Sequence, residues 1–513
     1  MVDVSTLVAA IRRKGVRLWT EGNNLRYQAP KGTLSPDELV RLRAFKQAII
    51  ELLTASQDNG SAAIASSRRA SKDAVPLAFS QLLHWQVNQL DTRPSSRSVA
   101  CMARLRGSLH LQSLRGSLHL VIERHEALRT QITVVDGNPA QKILGECVTP
   151  EINITDLTHL SDFAREAELM RLITFHVTEP VCVTVGPLFE TRLFRTGPTE
   201  HVLLLAMEHT ISDAFSRDIL MREILTAYIE TVQGRSVVLP QVQMHIADYA
   251  IWQRSTLPEW LLKCCGPLKE RLEGSRRVRF PADTGLDYTP YRQWESAPLR
   301  IESELKDTLR EWCRARGTTL AMTMFSAYCA VVLRWCGTQD LVIRYQINGR
   351  ENPALENTLG YFAALIYVRV AYCPSDTFLD FLRRVTSEYC KAHEQPDPYY
   401  LSTQPARPDF TRSAGFNWVP RDSTNSHNEA SLFGDEITVV PLHVRIPASE
   451  DIELDEEPLI LLTETDDEVT GDVHFPRSRF SHELMERFAR NFLHFVTEIV
   501  CRPDFRVAEI SML

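Results

Sequence analysis

Residues 201–214 read HVLLLAMEHTISDA, and the order of events in this stretch sets the reading of the whole chain. An apolar run of strand length comes first, from His201 to Met207. The loop Glu208-His209-Thr210-Ile211-Ser212-Asp213-Ala214 follows, and from Ser216 the segment SRDILMREILTAYIETV carries apolar residues at helical spacing. A buried strand thus delivers a histidine to a tight loop, with an aspartate four residues on. Loops at strand ends are where a rigid scaffold aims reactive groups. A neutral imidazole there can take a proton from an attacking amine or hydroxyl. Asp213 can fix the loop by pairing with a buried cation. The HxxxD spacing is common by itself: His393-Glu394-Gln395-Pro396-Asp397 fits it too, but in a polar stretch that closes no apolar strand.

Outward from this loop, strand and helix patterns alternate from Pro76 to Leu513. DLVIRYQI from Asp340 and LIYVRV from Leu365 read as strands, and HELMERFARNFLHFVTEIV from His482 reads as a helix. The pattern predicts an α/β class with two lobes, 76–250 and 251–513. Residues 54–75, TASQDNGSAAIASSRRASKDAV, are rich in Ser and Ala with few large apolar groups and read as a flexible linker.

The first 53 residues read as a separate small unit. Val4, Leu7, Val8 and Ile11 recur at helical spacing before Gly15. VRLWT and LRYQA then flank the turn-forming Glu21-Gly22-Asn23-Asn24. Ser35, Pro36 and Glu38 make a helix start, and Leu39, Leu42, Phe45, Ile49 and Ile50 give that helix an apolar stripe. The order is helix, hairpin, helix. Nine basic residues against five acidic give this unit +4, while the whole chain of 513 residues carries -8. A basic module on an acidic protein suits a partner segment of negative charge.

The acidic balance disfavours nucleic acid as a partner of the whole chain. Eleven cysteines without a CxxC pair fit a reducing compartment, and the chain is expected to be cytoplasmic with no membrane partner. GxSxG, HExxH, GxxxxGK[ST] and GxGxxG after a strand are all lacking, so no metal or bound cofactor is expected. His125, in the charged stretch ERHEALRT from Glu123, reads as a salt-bridged helix end rather than as a reactive group.

With these residues in place, the chain from Pro76 onward resembles the free-standing condensation domains of nonribosomal peptide synthetases. Pro76 to Gln81 with Trp85 resembles the opening motif, with Leu83 where an Arg is usual. Arg124 to Thr130 resembles the second motif, Glu208 to Ala214 stands at the HHxxxDG signature, and Asp248-Tyr249-Ala250-Ile251-Trp252 is similar to the D-Y-A-x-W segment. Leu359-Gly360-Tyr361-Phe362, ending in Arg369, and Gly471 to Phe480, similar to the last strand and latch, complete the set. Residues 1–53 resemble the TubC-type docking domain, including Ala29 to Pro36.

The resemblance implies two chloramphenicol-acetyltransferase-like lobes in a V shape, preceded by a small α-β-hairpin-α docking domain. It implies a tunnel with His209 as the catalytic imidazole, Asp213 in a structural ion pair with Arg350 as its partner, and the backbone N–H of Ala214 near the oxyanion. It further implies no bound cofactor, and substrates carried on the phosphopantetheine of carrier proteins. The upstream acyl or peptidyl carrier would dock through a C-terminal linear motif at the hairpin, with Arg17, Trp19, Arg26 and Tyr27 as contact residues. The acceptor would be a second carrier or a free small molecule.

Three positions depart from the pattern: Glu208 replaces the first signature His, Ala214 the Gly, and Ala364 the late-motif Asn. Glu208 is expected to orient His209 or to raise its basicity, and Ala214 to strain a backbone that Gly would allow into positive φ. With no adenylation loop and no carrier G-G-x-S motif, the chain is expected to act in trans, transferring an acyl, polyketide or peptidyl chain to an amine or hydroxyl in chain release. A catalytically degenerate recruitment platform and an acyl-CoA-dependent acyltransferase are the competing expectations.

Overall fold

The computed structural model describes residues 17–21, 24–28, 42, 45–47, 49, 74–90, 95–145, 152–275, 278–283, 294–350, 352–397, 399–404, 408–420, 431–433, 437–442, 457–502 and 505–510. Two six-stranded mixed sheets carry the fold. The first runs Ser431–Phe433, Ile437–Pro441, Val99–Gly107, Glu200–Met207, Phe189–Gly197, Asn153–Asp156. The second runs Trp294–Ile301, Val469–Pro476, Leu459–Glu464, Gly415–Val419, Asp340–Ile347, Ala364–Ala371.

The strand Glu200–Met207 lies inside its sheet, and its last six residues are fully buried. Side chains alternate along a strand, so its two faces meet different layers. Leu203, Leu205 and Met207 pack with Ile219, Leu220 and Ile224 of the helix Ala214–Val232. Val202, Leu204 and Ala206 pack with Leu169, Ile173 and Val177 of the helix Asp162–Thr178. Cover on both faces explains the unbroken apolar run where a half-exposed strand would alternate. In the second lobe, Phe325 and Tyr328 of the helix Leu320–Trp335 pack on Phe416, and Tyr328 also meets Phe488 of the helix His482–Cys501. The strands expected at 201–207, 340–347 and 365–370 and the helices expected from 216 and 482 all form at these places.

Three boundaries differ from the sequence reading. The division expected at 250/251 falls inside one continuous helix, Ile246–Trp260. Val75, assigned to the linker, pairs with Gln141 in a small sheet. Ile437–Pro441 lies between two strands of the second sheet in sequence, yet pairs with Val99–Gly107 of the first, placing Val439 opposite Leu105. The motif from Gly471 stays in the second sheet, so the crossing between lobes is made by the segment around Val439.

The hairpin of the N-terminal unit forms with Trp19 opposite Arg26 and Leu18 opposite Tyr27. The helices expected on either side lie outside the described residues, apart from 42, 45–47 and 49, as does the linker from 54 to 73.

Val439 is 7% exposed and packs in the core of the first lobe. Val439→Asp buries an unpaired carboxylate there and is expected to destabilise that lobe by on the order of 3 kcal/mol. Limited proteolysis should then cut faster between residues 76 and 275, far from the substitution in sequence.

Candidate active site

The strand Glu200–Met207 ends at Glu208, and a single 3-10 turn, His209–Ile211, joins it to the helix beginning at Ala214. Glu208, Thr210, Ile211 and Ser212 are fully buried, whereas His209 is half-buried. The turn therefore presents one imidazole and hides its neighbours. His209 Nδ1 lies 3.1 Å from the Ser212 carbonyl oxygen. A carbonyl accepts only, so Nδ1 carries the proton and the neutral ring holds its lone pair at Nε2. Ser212 is held in turn: its Oγ donates to the Glu208 carbonyl at 2.9 Å, and its N–H to the His209 carbonyl at 3.2 Å.

On the downstream side of His209, Asp213 caps the helix, with Oδ1 accepting from the N–H and the hydroxyl of Ser216 at 2.8 Å each. The same carboxylate takes a two-pronged contact from Arg350, Nη1 to Oδ2 at 2.5 Å and Nη2 to Oδ1 at 2.9 Å. Both side chains are buried, 8% and 5% exposed. Phe362 N–H donates to Oδ2 at 3.2 Å, and Arg350 Nη2 also donates to the Thr358 and Gly360 carbonyls at 3.3 Å. The guanidinium stacks over the Phe362 ring at 4.6 Å. Gly349 makes this approach possible: its φ is +64°, and a Cβ there would lie 1.8 Å from the Phe362 carbonyl oxygen.

On the upstream side, Glu208 Oε1 meets His84 Nε2 at 2.8 Å, and Oε2 accepts from Thr210 N–H at 2.6 Å and from the Thr210 hydroxyl. Gln81, one helical turn before His84, donates to the Thr210 carbonyl at 2.8 Å. Glu208 was expected to orient His209, but the observed partner of His209 Nδ1 is the Ser212 carbonyl, and the Glu208 carboxylate turns to the helix Phe79–Leu90. His84, His209 and Tyr361 form one ring cluster, with centroids 5.6 Å apart for His84–His209 and 5.1 Å for His209–Tyr361. The strain expected at Ala214 is not found. Among the described residues, the non-glycines at positive φ are Asp136 and Tyr399, and Ala214 opens a regular helix.

The structure thus brings Glu208, His209, Asp213, Ala214 and Arg350 to one loop and its contacts. The hairpin places Arg17, Trp19, Arg26 and Tyr27 on paired strands, and their side chains lie outside the described residues. Sequence reasoning missed His84, Gln81, Ser216 and Tyr361. The signal for two of them was present: Gln81 and His84 are polar residues three apart in an apolar helix, hence on one face.

The other candidates take structural places. His125 is 1% exposed, with Nε2 2.8 Å from Glu223 Oε2, at the end of a helix. Asp397, from the second HxxxD match, is fully buried; burial pushes its carboxyl up to about 7, while the Leu401 N–H and the Tyr367 hydroxyl pull weakly the other way. His176, Glu179 and Glu190 lie together as a metal-binding set would, but Arg97 Nη1 is 3.2 Å from Glu190 and Arg192 Nε is 2.5 Å from it. Arginine charges therefore already stand beside those carboxylates, Arg97 Nη1 also lying 3.6 Å from Glu179 Oε2. No helix among the described residues is long and apolar enough to cross a membrane.

The condensation-domain family matches residues 71–513, and the TubC N-terminal docking domain matches residues 4–54. This chain belongs to the condensation-domain family and carries a TubC-type docking domain at its front. Phosphinothricin tripeptide synthetase PhsC of Streptomyces viridochromogenes is 28% identical over 87% of this chain, and chondramide synthase cmdD of Chondromyces crocatus is 26% identical over 86%. The chain spans 41% and 11% of those proteins' lengths. The X-domain from teicoplanin biosynthesis shares the fold at TM-score 0.70 and 22% identity, over 86% of this chain and 98% of that one. SgcC5 from Streptomyces globisporus does so at 0.69 and 22%, over 84% and 100%. The fold is accordingly the mixed α/β pair of chloramphenicol-acetyltransferase-like lobes.

Two of the buried carboxylates, at 213 and 397, respond differently to substitution. Arg350→Ala leaves Asp213 charged and buried without its partner, and is expected to cost ~3–5 kcal/mol in urea unfolding, with Asp213→Asn costing less than Arg350→Ala. For Asp397, native and unfolded states are both protonated at low pH. As pH rises from about 4 toward 7, the unfolded chain ionises while the buried group holds its proton, so stability falls, by at most roughly 4 kcal/mol above that range. Asp397→Asn should remove this loss: urea midpoints of wild type and variant should diverge between pH 5 and pH 8, the variant being the more stable at pH 8.

Proposed function

We propose that this chain is an acyltransferase that acts in trans, moving an acyl, polyketide or peptidyl chain from an upstream carrier-protein thioester to an amine or hydroxyl. The observation that carries the reading is the half-buried His209 ring, set in one tautomer by the Ser212 carbonyl and flanked by buried residues. Nε2 accepts the proton of the acceptor N–H or O–H as the nucleophile attacks the thioester carbonyl. The tetrahedral oxyanion forms next to the first amide of the helix, at Ala214, where the helix N-terminus favours negative charge. The C–S bond breaks, and the departing phosphopantetheine thiolate takes the proton back from His209. Atoms and charge balance with no cofactor, and amide and ester formation need the same base.

Asp213 and Arg350 hold the loop and do not touch the reacting atoms in this scheme. The hairpin of the docking domain offers strand edges for a linear segment of the upstream partner, and the +4 charge of residues 1–53 favours an acidic one. Delivery by docking supports a carrier-bound donor over free acyl-CoA.

A recruitment platform is the second reading. The departure at Glu208 favours it, as does the fold shared with an X-domain solved in complex with OxyB. Intact-protein mass spectrometry of the acyl-loaded upstream carrier separates the two. Acceptor-dependent loss of the acyl mass is expected with wild type, reduced on the order of 10²-fold or more in His209→Ala. Equal loss with both proteins would support the platform. Deleting residues 1–53 should slow transfer from the carrier; an unchanged rate would point to an acyl-CoA donor.

A further inference from the structure

The His209 loop is bracketed by two buried carboxylates, and the upstream one is Glu208 at 0% exposure. A carboxylate sealed from water is costly unless paired. It is held by Thr210, within the same turn, and by His84, which comes from the helix Phe79–Leu90 and is itself 4% exposed. His84 thus ties a separate segment to the residue directly before the reactive imidazole.

We propose that His84 and Glu208 form one unit, a buried imidazole–carboxylate pair that positions His209, and that His84 is a positioning residue for the reaction. This rests on the reading of His209 as the reacting base. The chain of contacts is short. Glu208 Oε1 is fixed by His84 at 2.8 Å, which aims Oε2 at the Thr210 N–H at 2.6 Å and so sets the first bend of the turn. Gln81 on the same helix holds the Thr210 carbonyl at 2.8 Å, and is itself fixed by the Ala78 N–H at 2.9 Å and Gln141 Nε2 at 3.1 Å. The turn closes through Ser212, whose carbonyl sets the His209 ring. Position 208 holds a carboxylate where the family signature has an imidazole, and an imidazole stands across from it at position 84. The two residues depend on each other: removing either one takes a short, buried contact from the other.

His84→Leu is expected to leave the fold intact but release the turn. A misplacement of about 1 Å costs on the order of 10²-fold in rate, so kcat should fall about 10- to 100-fold while KM for the acyl carrier changes less than about twofold. Glu208→Gln keeps an acceptor for Thr210 and a partner for His84, and should lower kcat less than His84→Leu does. In the His84→Leu background, the same Glu208→Gln removes the charge that has lost its imidazole and should restore about tenfold, a coupling that additive effects would not produce.

A substrate-independent readout goes with the kinetics. Long-range nitrogen–proton spectra of the full chain, labelled at histidine nitrogen, report the His209 tautomer, with the signal assigned by its loss in His209→Ala. Wild type should show the Nδ1–H form, and His84→Leu a mixture. Should His84→Leu fail to fold, His84→Asn shortens the donor arm without adding apolar bulk and gives the same comparison. An unchanged kcat and His209 signal in the folded His84 variant, or an equal Glu208→Gln effect in both backgrounds, overturns the pairing. If instead His209→Ala turns over as fast as wild type, the catalytic reading fails while the tautomer spectra still decide whether His84 positions the ring.

Discussion

Everything near the candidate site depends on the contact between Asp213 and Arg350. It is a buried, two-pronged charge pair between the segment that follows the first sheet's inner strand and the segment that follows a strand of the second. Burying such a pair gains little net stability over well-packed apolar groups, but breaking it strands a charge. Its value here is geometric. Asp213 spends one oxygen on the helix start and the other on Phe362, and Arg350 reaches back to two carbonyls around Gly360. The two lobes thereby agree on where the His209 loop sits.

The fold was largely legible because its elements are long and locally consistent. The run at 201–207 is apolar throughout since both faces are covered, and the helices from 216 and 482 carry strong apolar spacing. The site was legible where one loop carries it: Glu208, His209, Asp213 and Ala214 lie within seven consecutive positions. Arg350 came from motif order, and the structure places it against Asp213. The misses share a cause. Ile437–Pro441 joins a sheet whose core strands lie far earlier in the chain, and nothing local marks that choice. His84 looks like one more residue of an amphipathic helix until Glu208 is placed opposite it. Ala214 was misjudged because Gly at the family position suggested unusual φ, while the chain needs an ordinary first helical residue there.

The site combines a presented ring with concealed supports. Thr210, Ser212 and Ser216 each use a hydroxyl inside the loop, to the Glu208 carboxylate, to the Glu208 carbonyl and to Asp213. Small hydroxyl side chains satisfy polar groups that the tight turn removes from the strand ladder. Such a loop is rigid because its polar groups have assigned partners, and the half-buried imidazole inherits that rigidity.

The strand Ile437–Pro441 carries a consequence for biosynthesis of the protein itself. Until the ribosome has released that segment, the growing chain holds Val99–Gly107 as an open sheet border with unpaired amides and carbonyls. An edge left open in this way favours off-pathway pairing while the intervening residues are synthesised. Its maturation waits on a stretch encoded far downstream in the message.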